Sequence, residues 1–217
     1  MIARILDNDL KEHFIKGNQV AVVLGARQVG KTTLSKRVFP NALYFNIDNE
    51  TTRQNFNKYD VVMYKQLLGE AKIVVIDEAQ RLDDPGRMAK IIHDQMQEVQ
   101  LVITGSSSLR LRNKTSESLA GRKIEYHLFP LTITEYLFQK WLENTIQADI
   151  ISTLRKGLQE TPIKNYPIND VLEHLMIYGL YPATLSSGSD TSYLDNLVDS
   201  VIFKDLTDFA LIENRPA

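Results

Sequence analysis

The segment Gly25-Ala26-Arg27-Gln28-Val29-Gly30-Lys31-Thr32 sets two glycines, an ammonium group and a hydroxyl at the spacing G-x-x-x-x-G-K-[ST]. Each fixed position meets a need of polyphosphate binding. Gly25 and Gly30 let the backbone turn sharply and approach phosphate oxygens with no Cβ in the way. The N–H groups from about Gln28 to Thr32 would converge on a β-phosphate, backed by the positive end of the following helix. Lys31 supplies a mobile point charge for the β- and γ-oxygens. The Thr32 hydroxyl is a hard oxygen ligand suited to Mg²⁺. Residues Gly25 through Thr33 are therefore expected to cradle the triphosphate of a purine nucleotide, ATP with Mg²⁺. The bland alternative is a glycine turn between a strand and a helix.

A second cluster suits the same chemistry. Ile73-Val74-Val75-Ile76 is an apolar run that ends in Asp77-Glu78. In open parallel sheets ligands bind at the carboxyl ends of strands. Asp77 is expected to hold Mg²⁺, directly or through water, and Glu78 to orient or deprotonate an attacking water. Leu101-Val102-Ile103-Thr104-Gly105-Ser106 is another strand running into small hydroxyl residues. Thr104 and Ser106 are candidates to contact a γ-phosphate or the lytic water; alternatively the serines cap a helix. Hydrolysis is faster when an arginine stabilises the transferring phosphoryl group. Arg122 is the preferred candidate, followed by Arg110 and Arg112, each weighed against an ordinary solvated arginine.

Two guanine-type patterns are present. Asn57-Lys58-Tyr59-Asp60 fits N-K-x-D, and Asp83-Asp84-Pro85-Gly86 fits D-x-x-G. They occur in the wrong order, and neither caps an apolar strand, so both read as coincidence. His13, His93, His127 and His174 show no metal-ligand spacing. Trp141 with Tyr136, Leu137 and Phe138 reads as helix packing.

The elements that must carry these groups are legible from periodicity. An amphipathic helix is expected over 2–16, with Gly17 as its stop. Strands are expected at Val20–Leu24, Leu43–Ile47, Ile73–Ile76, Leu101–Thr104 and Ile124–Phe129, with Val20–Leu24 and Ile73–Ile76 as apolar runs buried on both faces. Helices are expected from the phosphate loop to Phe39, over 50–70, and from Pro85 with Met88, Ile91, Ile92 and Met96 turned inward. This alternation predicts an α/β fold with a parallel sheet flanked by helices. After Pro130 the pattern becomes helical. Thr132 and Glu135 form a capping box, and further helices are expected over 148–160, over 169–178 and after Asp190. The chain is accordingly divided into 1–130, a nucleotide-binding core with an N-terminal helix, and 131–217, a helical lid and the start of an extension.

Composition bounds the partners. Hydrophobic residues make up 43% of the 217, which leaves ample material for a core. The formal net charge of −2 supplies no global field to attract nucleic acid. With no cysteine, the chain can build no disulfide, zinc ribbon or thiol nucleophile. No secretory leader and no run of about 20 apolar residues is visible, and a cytoplasmic location is expected.

The segments GARQVGKTTL, IVVIDEAQRLDDP, LVITGSSSLRL, SLAGR and LFPLTITEYL, in this order, resemble the prokaryotic ATPases of the AAA+ superfamily that carry a further C-terminal domain. The likeness covers roughly residues 5–185. It implies a P-loop NTPase fold with a five-stranded parallel sheet and a small C-terminal helical lid. It places Lys31 and Thr32 in the P-loop, Asp77 and Glu78 in the acidic pair with Gln80 beside them, the serines from Ser106 at the sensor position and Arg122 in the A-G-R element. The family often has a glycine pair where this chain reads Gly179-Leu180, which questions the lid's turn geometry. The chain stops at Ala217, in a segment resembling the start of the family's C-terminal domain, so a truncated piece is expected. An unidentified protein or DNA partner would engage that further domain, and a homo-oligomer is compatible with the pattern. The leading expectation is an ATP hydrolase that drives or gates a shape change. Its rivals are a slow nucleotide-gated switch and a small-molecule or nucleotide kinase.

Overall fold

The computed structural model describes residues 2–106, 118–144, 168–187 and 192–199. The helix expected over 148–160, together with Arg110 and Arg112, lies outside the described residues. The chain divides into two compact units. One gathers Leu6–Ala26 and Gly30–Leu128; the other gathers Met1–Ile5, Arg27–Val29 and Phe129–Ala217.

The first unit is a five-stranded parallel sheet in the order β2-β3-β4-β1-β5. Its strands are β1 (Val20–Leu24), β2 (Leu43–Asn46), β3 (Ile73–Asp77), β4 (Gln100–Gly105) and β5 (Lys123–His127). The three inner strands read as apolar runs because both faces are covered. Val22, Val74 and Val102 are fully buried. The edge strands β2 and β5 are only partly buried along their length. The order has a functional consequence. β4 lies between β1 and β3, so its carboxyl end is flanked by the loop leaving β1 and the acids leaving β3.

Helices α1 (Leu6–Lys16), α2 (Lys31–Val38), α3 (Glu50–Phe56), α4 (Val61–Leu68) and α5 (Pro85–Gln95) complete this unit. The stretch 50–70 forms two helices rather than one. Tyr59 adopts a left-handed φ of 51°, and Asp60 then caps α4 by accepting from the Met63 N–H at 2.7 Å. Asn57 and Asp60, the ends of the N-K-x-D pattern, are thus helix-boundary residues. Asp84 of the D-x-x-G pattern caps α5 through the Arg87 N–H at 2.9 Å. These residue types are favoured at such caps. The first helix begins at Leu6, later than expected, because residues 2–5 have another use.

That use appears in the second unit. The Arg4 side chain is 6% exposed and pairs with Glu135, whose side chain is 4% exposed, at 3.2 Å. Its guanidinium also donates to the carbonyls of Val29 at 2.9 Å and Phe129 at 2.6 Å. Glu135 accepts from the Ile5 N–H at 2.7 Å and from the Thr132 N–H at 2.8 Å. The Thr132 hydroxyl accepts from the Glu135 N–H at 3.1 Å, which closes the expected capping box at the start of α6 (Ile133–Asn144). Helix α7 (Ile168–Tyr178) ends on Gly179, at φ 72°, whose N–H donates to Leu175. Leu180, in place of a second glycine, has no left-handed backbone among the described residues. Its carbonyl accepts from the Leu131 N–H at 2.7 Å and its side chain packs against a core that includes Leu131 and Tyr136. The turn therefore forms with one glycine. Two short helices, α8 (Thr184–Ser187) and α9 (Ser192–Val198), follow.

Breaking a buried ion pair from one side strands the other charge. Arg4→Ala is therefore expected to destabilise the fold by about 3–5 kcal/mol, read as a lower urea midpoint. An unchanged midpoint would show that the pair is not buried as described.

Candidate functional site

The site is assembled where β1, β3 and β4 end. The Gly25 N–H donates to the Gly105 carbonyl at 3.3 Å, which joins the loop after β1 to the end of β4. Gln28 and Gly30 both adopt left-handed backbone, with φ of 63° and 96°. For a non-glycine residue such as Gln28 that conformation is costly and marks a constrained loop. Helix α2 starts with Gly30 as its cap and has neither a side-chain cap nor an acidic residue in its first turn. Such a helix end favours an anion.

Lys31 is 5% exposed, and its Nζ donates to the carbonyls of Gly25 at 2.9 Å and Ala26 at 2.8 Å. A buried ammonium held by its own loop is a charge matched to a phosphate ligand. Ala26 and Thr32 border this loop, half-buried, while Thr33 is exposed. Val29 is fully buried, and Arg27 is half-buried.

Asp77, 2% exposed, receives three hydroxyls. Thr32 donates to its Oδ2 at 2.6 Å. Tyr44 donates to the same oxygen, and Thr104 donates to Oδ1. Register explains two of these. Ile76 pairs with Ile103, so Thr104 stands beside Asp77 on the next strand. Tyr44 pairs with Val75, which points to the same side of β3 as Asp77 two residues on. Burial and the bond to Asp77 push the Tyr44 phenol well above its ordinary pKa, so it stays a donor.

The peptide turns sharply after Asp77. Glu78 has a left-handed φ of 58° and leads into a single 3₁₀ turn, Ala79–Arg81. Gln80 lies within that turn, its Nε2 donating to Glu78 Oε2 at 2.5 Å and its Oε1 accepting from the Ser106 N–H at 3.2 Å. Ser106 is 6% exposed.

Arg122 is not brought to this cluster. It precedes β5, and its carbonyl accepts from the Val20 N–H at 2.7 Å, at the start of β1. The phosphate loop leaves the far end of that strand, about 13 Å away at roughly 3.3 Å per residue. The guanidinium pairs instead with Asp94 at 2.9 Å. His93 and Arg122 together hold the Asp94 carboxyl below its usual range.

Tyr44 and Arg4 were missed in the sequence reading. Finding Tyr44 requires the β2–β3 register. Arg4 is separated by 131 positions from its ionic partner.

The donor set fits a nucleotide with a divalent cation. It contains an uncapped helix start, a buried ammonium and a buried carboxylate beside a threonine hydroxyl. No cluster of three or more carboxylate or imidazole groups is present among the described residues.

The AAA domain family matches residues 17–137, more than half of the chain. The chain belongs to the AAA domain family. It is a P-loop ATPase domain, and membership implies ATP binding. An uncharacterised protein of Methanocaldococcus jannaschii is 26% identical over 94% of this chain and 46% of its own length. One of Mycobacterium tuberculosis is 34% identical over 54% of this chain and 26% of its own. The chain thus spans less than half the length of these relatives. A Walker-type ATPase of Pyrococcus abyssi has the same fold, with a TM-score of 0.58 at 14% identity over 97% of this chain and 76% of that one. A signal-transduction ATPase with a tetratricopeptide sensor from Pyrococcus horikoshii matches at 0.53 and 13% identity, over 92% of this chain and 32% of that one. The five-stranded parallel architecture expected from the sequence is therefore present. No described helix is long and apolar enough to cross a membrane.

Because Arg122 lies at the opposite end of β1, Arg122→Ala is expected to leave ATP affinity within about 2-fold of the parent, as measured by calorimetry. A loss of affinity tenfold or greater would contradict this placement.

Proposed function

We propose that this AAA domain hydrolyses ATP with Mg²⁺ and uses turnover to drive or gate a shape change in a partner. The observation that carries the reading is the Thr32–Asp77 hydrogen bond with Glu78 as the next residue. It sets a carboxylate and a hydroxyl together at the end of the phosphate loop, with a second carboxylate one peptide on.

In this reading residues Gly25–Thr33 hold the polyphosphate. The Lys31 ammonium would exchange its carbonyl partners for β- and γ-oxygens, and Thr32 and Asp77 would hold Mg²⁺. The ion, when bound, neutralises charge on the β- and γ-phosphates. Glu78 acts as general base towards water. Thr104 fixes Asp77, and Ser106 marks the strand end that faces the γ-phosphate. The partner would be a protein or DNA.

The placement of Arg122 favours a second reading, a slow nucleotide-gated switch. Arg122 is held by Asp94 at the end of β1 opposite the phosphate loop, so in this arrangement it supplies no charge to a phosphoryl group bound there. Wild-type turnover below about 0.01 s⁻¹ that does not rise with protein concentration would select the switch.

Glu78→Gln is expected to retain ATP affinity while kcat falls by about 10²-fold or more, followed by phosphate release. Turnover equal to that of the parent would overturn the assigned role of Glu78.

A further inference from the structure

Gln80 has no part in the binding chemistry above, yet it is 9% exposed and connects two elements of the site. Its amide group is directional. The Ser106 atom that meets Gln80 is the main-chain nitrogen, an N–H donor, so the end of Gln80 facing it at 3.2 Å is the carbonyl oxygen. The NH₂ end is then turned away from β4 and donates to Glu78 Oε2 at 2.5 Å. Glu78 itself sits at a left-handed φ of 58°, at the turn that brings its carboxylate to Gln80. The orientation of Glu78 is therefore set by an amide whose own orientation is set by the end of β4.

We propose that Gln80 is a positioning residue that couples the carboxyl end of β4, at Ser106, to the Glu78 carboxylate. This rests on the reading of Glu78 as general base. Ser106 follows Gly105, whose carbonyl accepts from the Gly25 N–H at the start of the phosphate loop. A displacement of that strand end on nucleotide binding would move the Ser106 N–H, rotate the Gln80 amide and re-aim Glu78. A glutamate at position 80 would keep the oxygen for Ser106 but set a second carboxylate against Glu78. An apolar isostere would keep the bulk and lose both bonds.

Two experiments test the coupling. In the nucleotide-free protein, ¹⁵N-labelled glutamine should show one Gln80 side-chain amide proton shifted downfield and slow to exchange. Glu78→Ala should return it to the ordinary position. In turnover, Gln80→Leu and Gln80→Glu should each lower kcat by about 10-fold or more while the dissociation constant for ATP changes by less than about 2-fold. In a Glu78→Gln background Gln80→Leu should have no further effect. Gln80 resonances that ignore Glu78→Ala, a kcat at or above the parent's in Gln80→Leu, or additive losses in the double variant would each overturn the coupling. If Glu78→Gln itself keeps full turnover, it is the general-base reading that fails, and the glutamine resonances still report whether the contact exists.

Discussion

The hydrogen bond from Thr32 to Asp77 joins the two halves of the site, and the rest is arranged so that it can form. Thr32 comes from the first turn of the helix after β1. Asp77 is the last residue of β3, which is not a neighbour of β1 in the sheet. Both strands must be parallel, separated by β4 alone, and end at the same level for the two side chains to meet. The inner strands meet that condition through apolar burial on both faces. The cost of holding a carboxylate at 2% exposure is offset by three hydroxyl donors from three different elements.

The backbone is constrained at the same places. Gln28 and Glu78 are two of the three described non-glycine residues with positive φ, and each sits at a turn where chain direction, not side-chain packing, positions the group that matters. At Gln28 the turn shapes the phosphate loop. At Glu78 it bends the chain so that the carboxylate meets Gln80 instead of extending along β3. Within the second unit, Arg4 donates to the Val29 carbonyl at 2.9 Å.

What could be read from the sequence was what is local. The P-loop spacing, the apolar strand ending in Asp77-Glu78 and the Thr132–Glu135 capping box depend on residues within one turn or one strand. The inner strands followed from continuous apolar runs, and the parallel fold from the alternation of strand and helix signals. Boundaries shifted where a side chain had a distant use: the first helix lost residues 2–5 because Arg4 pairs with Glu135. Tyr44 escaped notice because its role depends on the register between β2 and β3. Arg122 looked catalytic as an arginine in a familiar tripeptide. Its strand, however, runs parallel to β1, which carries any residue before β5 to the end opposite the phosphate loop.

The central claim is that the Thr32–Asp77 pair forms the cation half of a phosphate site. Calorimetric titration of the protein with ATP, with and without Mg²⁺, tests it most directly. The account predicts that Mg²⁺ tightens binding by about 10-fold or more in the parent, and that this gain disappears in Asp77→Asn while cation-free affinity is kept. Binding that is absent, or equally tight with and without Mg²⁺ in the parent, would contradict it.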